Sequence, residues 1–594
     1  MTSTVSKSTE DVPDAEAKLR TGLPVDRVVF AVAASLAVAF VLWGAIAPEK
    51  MGDLTDKAMS WVTGSFGWLF ILTSGAFVVF SAYLALSRYG NIKLGPDDSV
   101  PEFSKFSWVS MMFATGMGIG LMFYGVAEPL FHLNDPPMGL AEPGTPAAAH
   151  LAMEYSFFHW GFHPWAMYAV IGLSIGYFAY RKGHGCLVSG AFRPLLGNRV
   201  DRAPGKAIDV VAIFATLFGS ATSLGLGALQ ITGGIDEVFG SGRDSKLLAV
   251  GVIAFLTACF VLSAVSGIER GVKWLSNANA AAAALLALFL FVVGPSIFIL
   301  GTFTESLGGY LTNLPAMSFR DGVFDAEVAS PWLSAWTIFY WAWWISWTPF
   351  VGMFIARISK GRTIREFVVY VILAPSLVSF VWFSILGGSA FDLQLNQGKD
   401  MGALADAGLE GALFETLSSF PLATITSALA VFLIAIFFVT GADSASIVMG
   451  MLSQNGCEHP RRRLTVFWGV ATGAVAAVLL WAGGLKALQT LVILVAGPFM
   501  LVLIAMCIST LKSLRAEPYE STLPPRVRRA VLHAQQQDQL EHQSIALATL
   551  GCDGLDDGSD SVPAQQSTEN STITTSSGPR EAAIERRADV LLGE

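Results

Sequence analysis

Long apolar runs dominate this sequence and constrain its fold more than any other feature. A helix that crosses the hydrocarbon core of a bilayer needs about 20 mostly apolar residues. Only 14% of the 594 residues are charged and 53% are hydrophobic, whereas soluble domains carry about 25% charged residues. We therefore predict an all-α polytopic membrane protein. Twelve runs are candidate transmembrane helices: 28–47, 66–87, 107–130, 154–180, 208–235, 247–266, 275–301, 332–356, 366–388, 422–450, 464–484 and 488–511.

The chain divides into a membrane domain and two polar tails. Residues 1–26 are charged and lack the apolar core of a signal peptide, so they are predicted to be a cytoplasmic tail. Residues 27–512 form the membrane domain, within which segment 303–331 is expected to lie along the outer surface as a short amphipathic helix. Residues 513–594 form a second tail. It starts with a segment that can form a helix and continues into low-complexity sequence predicted to be disordered.

The distribution of basic residues predicts the orientation. Loops after predicted spans 4, 8 and 10 are rich in Lys and Arg, whereas the loop between spans 3 and 4 contains neither. Basic loops stay in the cytoplasm, so both termini are predicted to be cytoplasmic in a multi-pass protein of the cell (inner) membrane. Five scattered cysteines form no Cys-x-x-Cys pair, which favours reduced thiols. The net charge of −9 arises mainly from tails and loops, and no nucleic-acid partner is indicated.

Three glycines at alternate positions mark span 3. Gly116, Gly118 and Gly120 cannot share one face of a regular helix, and each costs about 1 kcal/mol of helix stability relative to alanine. An unwound stretch here would free backbone groups for ligands, as in the discontinuous helices of secondary transporters. Close helix packing through small residues is the alternative.

Span 8 carries an unusual density of tryptophan. If the span covers 332–356, Trp343, Trp344 and Trp347 lie deep in the bilayer, where an interfacial aromatic belt has no role. Tyr340, Trp344 and Trp347 share one helical face. Indole rings are the usual receptor for a quaternary ammonium group, so this face is predicted to bind a ligand.

Span 4 offers a second aromatic surface. Trp160, Trp165 and Tyr168 lie on one broad face of a helix with 100° per residue, although an outer-leaflet aromatic anchor is the alternative. Pro164 is expected to bend the helix. The histidines at 159 and 163 have a spacing compatible with a metal, but no third ligand is adjacent in sequence, so no metal is expected there.

Together these motifs suit a methylated zwitterion. A trimethylammonium group donates no hydrogen bond, and a set of indole faces can bind it at about 2 kcal/mol or more per desolvated contact. The carboxylate of such a solute then needs N–H donors, which an unwound glycine-rich helix supplies.

The three motifs resemble the betaine/carnitine/choline transporter family. The resemblance runs from about Phe103 to the end of span 12 and is carried by FATGMGIGLMFYGVAEP, HWGFHPWAMY and WAWWISWTPFVGMFIARISKGRTIREF. It implies twelve helices, a LeuT-like 5+5 inverted repeat of helices 3–7 and 8–12, and a homotrimer in contact with membrane lipids. It is strongest for the glycine betaine symporter branch and implies transport rather than enzymatic activity.

The family's substrate residues can be assigned to this chain by resemblance. The aromatic box around the ammonium would be Trp160, Trp165, Tyr168 and Trp344. The route beneath it would be lined by Trp343 and Trp347. The backbone that meets the carboxylate would be Met117, Gly118, Ile119 and Gly120. Choline carriers of the family typically have an acidic residue in place of Gly120, so glycine favours a solute that brings its own negative charge.

Two sodium sites follow from the same resemblance, and no other cofactor is expected. The ligands of the first would come from Ala114, Met117, Phe437 and Thr440. The family expects a serine next, where this chain has Gly441, so that site lacks one oxygen. The second would use Thr216, Ser220 and the ring of Phe350.

The sequence leaves several alternatives open. A sodium-independent exchanger is kept open by Gly441, and proton coupling through Asp443 is a third mechanism. The solute could be glycine betaine, ectoine, proline or another betaine. The tail has few basic residues after Arg529, unlike the basic helical tail of osmosensing betaine symporters, so osmotic regulation is doubtful.

Overall fold

The computed structural model of the chain describes residues 23–116, 118–239, 246–266, 269–401, 409 and 411–552. These residues are almost entirely helical, and one isolated bridge pairs Lys93 with Thr363. The longer helices are α1 (Arg27–Ile46), α2 (Pro48–Leu86), α3 (Lys105–Gly116), α4 (Ile119–Asn134), α5 (Pro146–Trp160), α6 (Phe162–Gly176), α7 (Ala203–Phe239), α8 (Lys246–Ser266), α9 (Glu269–Val293), α10 (Ser296–Phe319), α11 (Ala326–Ala335), α12 (Thr337–Ile358), α13 (Ile364–Leu395), α14 (Ala412–Ser418), α15 (Ala423–Ser453), α16 (Arg462–Arg515) and α17 (Pro525–Cys552). Short helical turns lie at Arg88–Asn91, Pro137–Gly139, Tyr177–Arg181, Ser189–Phe192, Arg193–Leu196, Gly197–Asp201 and Tyr519–Thr522.

Six of the described helices are long and apolar enough to cross a bilayer. They are α1, α2, α7, α13, α15 and α16, and the bent pair α9–α10 is a seventh if it counts as one span. The structure therefore confirms an all-helical membrane protein with several apolar helices. The count of twelve spans and the inverted repeat stay predictions, because the other predicted spans coincide with shorter or interrupted helices.

Three predicted spans are broken helices. Span 3 consists of α3 and α4, span 4 of α5 and α6, and span 8 of α11 and α12. The bend in span 4 lies at Gly161 (φ −97°, ψ −127°) and not at Pro164 as expected. Pro164 instead occupies the first turn of α6, where a missing N–H costs no helical hydrogen bond.

The segment after span 7 runs in a different direction from the span. Helix α10 makes an angle of 110° with the apolar part of α9, Ala278–Val293. Pro295 precedes the first residue of α10 and ends the previous helix, because it has no N–H for the ladder. Residues 296–301, which we assigned to span 7, thus belong to α10. The predicted surface segment 303–331 contains most of α10 and the start of α11.

Predicted spans 11 and 12 lie on one long helix, α16, which is interrupted at Gly484. This residue has φ 62° and ψ −142°, a conformation that glycine adopts without the cost that a Cβ brings. The interruption falls at the predicted boundary between the two spans, which lies between residues 484 and 488.

Lipid-facing surfaces and the protein core differ as expected for a membrane protein. Large apolar side chains are exposed on α1, α2, α9 and α13, with Leu36, Val79, Leu285 and Leu373 among them. The buried core is rich in aromatic rings, and α12 together with α4, α5 and α6 contributes many of them. These four helices meet at the interruptions of spans 3, 4 and 8.

The start of the C-terminal tail packs on the loops that follow α2 and α6. Arg181 forms ion pairs with Asp97 (2.8 Å) and Glu517 (3.0 Å), and Lys182 lies 2.7 Å from Glu517. Arg528 on α17 pairs with Asp97 at 3.0 Å. The predicted helix at the start of the tail is confirmed as α17, whereas the low-complexity segment lies outside the described residues.

Candidate functional site: an aromatic cluster at three helix breaks

Three aromatic residues of α12 stack on one another, and a fourth meets them edge to face. The ring of Trp344 stacks on Trp343, with centroids 4.8 Å apart and planes 13° from parallel, and on Tyr340 at 6.0 Å and 19°. Trp347 meets Trp344 edge to face at 6.3 Å. The predicted common face of Tyr340, Trp344 and Trp347 is therefore present. All of these rings are buried, so they do not serve as an interfacial belt.

The last residue of α5 brings a further indole onto these rings. Trp160 meets Trp344 edge to face, with centroids 4.9 Å apart, and also contacts Trp343 at 6.2 Å. The indole N–H of Trp344 donates to the carbonyl of His159 at 2.9 Å. The carbonyl of His159 is free to accept this bond because α5 ends at Gly161. The interruption of span 4 therefore positions the two tryptophans against each other.

Two aromatic residues of α6 extend the cluster. Tyr168 meets Trp344 edge to face at 6.4 Å, and Trp165 meets Tyr168 at 5.4 Å. Trp165 reaches the cluster through Tyr168. The Nε1 of Trp165 and the hydroxyl of Tyr168 are buried and have no hydrogen-bond partner among the described residues. Both polar atoms are therefore available to a polar ligand.

The interruption of span 3 lies against the same rings. Helix α3 ends at Gly116 and α4 begins at Ile119, with Gly118 extended between them (φ −164°, ψ −123°). A Cβ at Gly120 would lie 2.6 Å from Trp343 and 2.9 Å from Trp160. Only glycine lets the backbone approach the indoles this closely, which places the first turn of α4 beside the cluster.

This arrangement combines two kinds of recognition. The first N–H groups of a helix have no partner within it and carry partial positive charge, so the start of α4 suits an anion. The indole faces next to it suit a cation. The site is thus suited to a small zwitterion. Met117, which we expected to contribute backbone groups, lies outside the described residues.

Comparisons with known proteins agree with this chemistry. The model of the betaine/carnitine/choline family transporters matches residues 28–519. The chain belongs to this family. It is 46% identical to the glycine betaine transporter OpuD of Bacillus subtilis over 511 residues, which cover 84% of this chain and 98% of that protein. It is a multi-pass membrane transporter and not an enzyme.

Two other relatives are named for ectoine. The betaine/ectoine transporter LcoP of Corynebacterium glutamicum is 42% identical over 499 residues, covering 83% of this chain and 78% of that protein. The ectoine/hydroxyectoine transporter of Virgibacillus pantothenticus is 39% identical over 481 residues, covering 81% and 95%. The resemblance read from the sequence motifs is therefore confirmed at the level of the family.

The residues that the family implies for a first sodium site lie where span 3 meets α15. Ala114 is in the last turn of α3, and a Cβ on Gly118 would lie 3.5 Å from the ring of Phe437 on α15. The hydroxyl of Thr440 donates to the carbonyl of Ile436 at 2.9 Å. At Gly441 a Cβ would meet nothing within 4 Å. There is thus open space where the family expects a serine.

The residues of the second predicted site lie on α7 and α12, which are in direct contact. Trp347 donates to the carbonyl of Gly219 at 3.1 Å, and Trp343 donates to Ser223 Oγ at the same distance. Ser220 follows Gly219, and its buried hydroxyl has no hydrogen-bond partner among the described residues. Phe350 is one turn beyond Trp347, with ring centroids 5.0 Å apart. Thr216 donates to the carbonyl of Ala212 at 2.9 Å.

Sequence reasoning missed a buried carboxylate at the centre of this cluster. Glu128 on α4 accepts hydrogen bonds from the indole of Trp160 (2.8 Å) and the hydroxyl of Tyr340 (2.5 Å). Its other oxygen lies 2.7 Å from His159 Nδ1. An acidic residue within an apolar run of a membrane helix is itself a signal of function. Glu128 is such a residue, and it lies in the quoted motif that ends in AEP.

His159 and His163, whose spacing would place both rings on one face of a regular helix, contact different partners. The ring of His163 stacks on Trp341 at 5.0 Å and its Nε2 lies 3.1 Å from Ser318 Oγ. His159 turns the other way, towards Glu128. The break at Gly161 separates the two rings, which a continuous helix would have placed on one face.

A cavity of about 220 Å³ lies between α6, α12 and α15. Phe350 lines one part of it, and Arg357 and Glu458, which form an ion pair at 3.2 Å, line another. By the predicted orientation it opens towards the cytoplasm. Its nearest link to the cluster is Phe350, whose ring lies 5.0 Å from that of Trp347.

Proposed function

We propose that this chain is a sodium-coupled symporter that imports glycine betaine or a related compatible solute by alternating access, for osmoprotection. The observation that carries the proposal is the contact of Gly120 with Trp343 and Trp160. It joins a helix start, which suits a carboxylate, to indole faces, which suit a quaternary ammonium. The names of the relatives support a betaine or ectoine as the solute.

The proposed binding mode uses both halves of the cluster. The methylated ammonium contacts Trp160, Trp165, Tyr168 and Trp344, while the carboxylate accepts N–H groups between Met117 and Gly120. Because Trp160 and Trp344 touch each other at 4.9 Å, a trimethylammonium group between them requires these rings to separate. Binding is thereby linked to the relative position of α5 and α12, which is what alternating access needs.

Sodium is the proposed coupling ion. One ion binds where span 3 meets Phe437 and Thr440, and the other binds between α7 and Phe350. The unpartnered hydroxyl of Ser220 supports the second site. The remaining features of the proposal are a homotrimer, cytoplasmic termini and no cofactor that transport requires besides sodium.

Transport by purified protein in liposomes tests the proposal. We expect labelled glycine betaine to accumulate when an inward sodium gradient is the only driving force, and not with an equal potassium gradient. Full-rate uptake without sodium would show that the chain is instead a sodium-independent carrier of quaternary ammonium compounds, the alternative that Gly441 keeps open.

Substitution of one indole tests the binding mode. Trp344→Leu removes the ring that contacts Trp160, Tyr168 and Trp343, and a cation–π contact is worth about 2 kcal/mol or more when desolvated. We expect betaine affinity to fall by about 30-fold. Trp481→Leu is the matched control, since this tryptophan is 54% exposed on α16 and should leave affinity unchanged. Equal betaine affinity in both variants would show that Trp344 contributes to packing and not to solute binding.

A further inference from the structure

A second constellation of ligand-type side chains lies beside the aromatic cluster. Glu128 and His132 are one turn apart on α4, and His159 faces them from the end of α5. One ligand atom from each residue lies within 4.8 Å of the other two, and all three side chains are fully buried. The proposed transport of a zwitterion with sodium gives no role to the imidazole of His132.

The distances are close to those of a coordination sphere. His132 Nε2 lies 3.5 Å from Glu128 Oε1, and His159 Nδ1 lies 2.7 Å from the same oxygen. Ligands of a tetrahedral zinc ion, with bonds of about 2.0–2.2 Å, are about 3.4 Å apart. The pair Glu128–His132 already has this separation. The pair Glu128–His159 would open by about 0.7 Å to admit the ion.

The histidine on α4 lacks the partners that a buried imidazole normally has. Its Nδ1 has no hydrogen-bond partner among the described residues, and its Nε2 is separated from Glu128 by more than the usual limit of about 3.2 Å. The ring is held by aromatic contacts, with Trp336 at 4.5 Å and Trp332 at 5.0 Å. A polar ring fixed by apolar neighbours and directed at a carboxylate is suited to an ion between them.

The surrounding hydrogen bonds are of the kind that orient metal ligands. Thr337 Oγ1 lies 2.9 Å from the second nitrogen of His159, and Trp160 and Tyr340 bind the second oxygen of Glu128. Such outer partners fix the direction of a ligand and typically change metal affinity by 10–100-fold when removed.

We propose that Glu128, His132 and His159 bind a first-row divalent metal ion, with Zn²⁺ as the best match to two imidazoles and one carboxylate. A single carboxylate leaves one positive charge on the site, so a hydroxide or chloride in the fourth position completes a neutral sphere. The ion fixes Glu128 and with it Trp160 and Tyr340. It therefore holds the aromatic cluster in its packed arrangement and opposes the ring separation that solute binding needs.

Equilibrium binding to the purified full-length protein tests this proposal independently of transport. After treatment with EDTA and desalting, Zn²⁺ is titrated calorimetrically, and Co²⁺ is titrated with detection of its visible absorption. We expect one ion per chain and the strong bands of four-coordinate Co²⁺. Glu128→Gln and His132→Phe should each weaken binding at least tenfold, and Thr337→Val by about tenfold, because it removes only an outer partner.

A surface histidine provides the matched control. His150 lies 3.0 Å from Glu154 and 3.7 Å from Glu305, and is partly exposed. These side chains could bind Zn²⁺ at the surface, separately from the proposed site. His150→Gln should leave the stoichiometry and affinity unchanged. No binding to the parent protein would overturn the proposal, as would loss of binding in His150→Gln or full binding in His132→Phe. Thermal unfolding and elution volume establish that each variant is folded before titration.

Transport then tests the consequence of binding. Where betaine uptake is measurable, Zn²⁺ should inhibit it. With each protein's uptake normalised to its own zinc-free rate, the Zn²⁺ concentration that gives half inhibition should be at least tenfold higher for His132→Phe than for the parent. Absent uptake would count against the proposed function alone, since ion binding is measured without it. Inhibition that is unaltered in His132→Phe would count against this site.

Discussion

At the scale of single residues, the site depends on one hydrogen-bonded carboxylate. Glu128 orients Trp160 and Tyr340 together, although it contacts neither proposed end of the solute by itself. We class it as a positioning residue. Glu128→Ala leaves a buried indole N–H and a phenol hydroxyl without their acceptor, and each unsatisfied group costs about 1–3 kcal/mol. Betaine affinity should fall at least tenfold.

The effect is separable from a general loss of structure. Glu128→Gln keeps one acceptor oxygen and should recover part of the affinity, and uptake kinetics should show a change in the half-saturating betaine concentration before a change in maximal rate. Glu305→Gln, at a side chain that is 75% exposed, is the control. Equal affinities for the alanine and glutamine variants would contradict the positioning role.

Gly441 permits a gain-of-affinity experiment. A side chain at this position meets nothing within 4 Å, so serine fits and its hydroxyl could restore the oxygen that the family expects. An interaction with a charged partner is worth about 1.5 kcal/mol or more, so the half-saturating sodium concentration should fall about tenfold in Gly441→Ser. Gly441→Ala fills the same space without oxygen and should not lower it. A fall in both variants would exclude direct ligation.

At the scale of elements, the C-terminal tail is attached by an ion-pair network. Glu517 is buried, which opposes its charge, but hydrogen bonds from Arg181, Lys182 and Tyr177 outweigh this and lower its pKa from 4.5 to about 2. A lowered pKa stabilises the fold above the unfolded value and stops doing so as the group is protonated. This contribution is therefore complete at neutral pH and is lost as the pH falls from about 4.5 towards 2.

Thermal unfolding in detergent checks this element. Glu517→Gln should melt at a lower temperature than the parent at pH 7, and the difference should shrink steadily below pH 4.5. Glu541→Gln, at an exposed position of α17, should melt with the parent at every pH. A difference between parent and Glu517→Gln that is as large at pH 3 as at pH 7 would show that the network does not depend on this charge.

The elements also show what a sequence can predict. Composition and apolar run length predicted the helical membrane class, and the aromatic runs identified the rings that meet around Trp344. The breaks were harder to place. Gly161, and not Pro164, interrupts span 4, because proline is tolerated in a first turn and glycine is free to leave the helix. Glu128 and His132 were missed because their partner His159 belongs to another span, and only packing brings the three together.

At the scale of the whole molecule, the two proposed sodium sites make transport electrogenic. Glycine betaine is a zwitterion, so a cycle with two sodium ions would move two positive charges inward. Each charge gains about 2.3 kcal/mol per 100 mV of membrane potential. Two charges at 100 mV are then equivalent to a gradient of about 2,000-fold in solute.

A potassium diffusion potential in liposomes tests this directly. With equal sodium on both sides, a potential that is negative inside should drive accumulation of betaine, and a positive one should expel it. Removing the second site with Thr216→Val should reduce the charge moved per betaine. An exchanger of zwitterions moves no net charge, so uptake that ignores the potential while sodium-free exchange continues would exclude symport. The membrane potential thus separates the two mechanisms that the missing oxygen at Gly441 leaves open, because it measures charge over the full transport cycle.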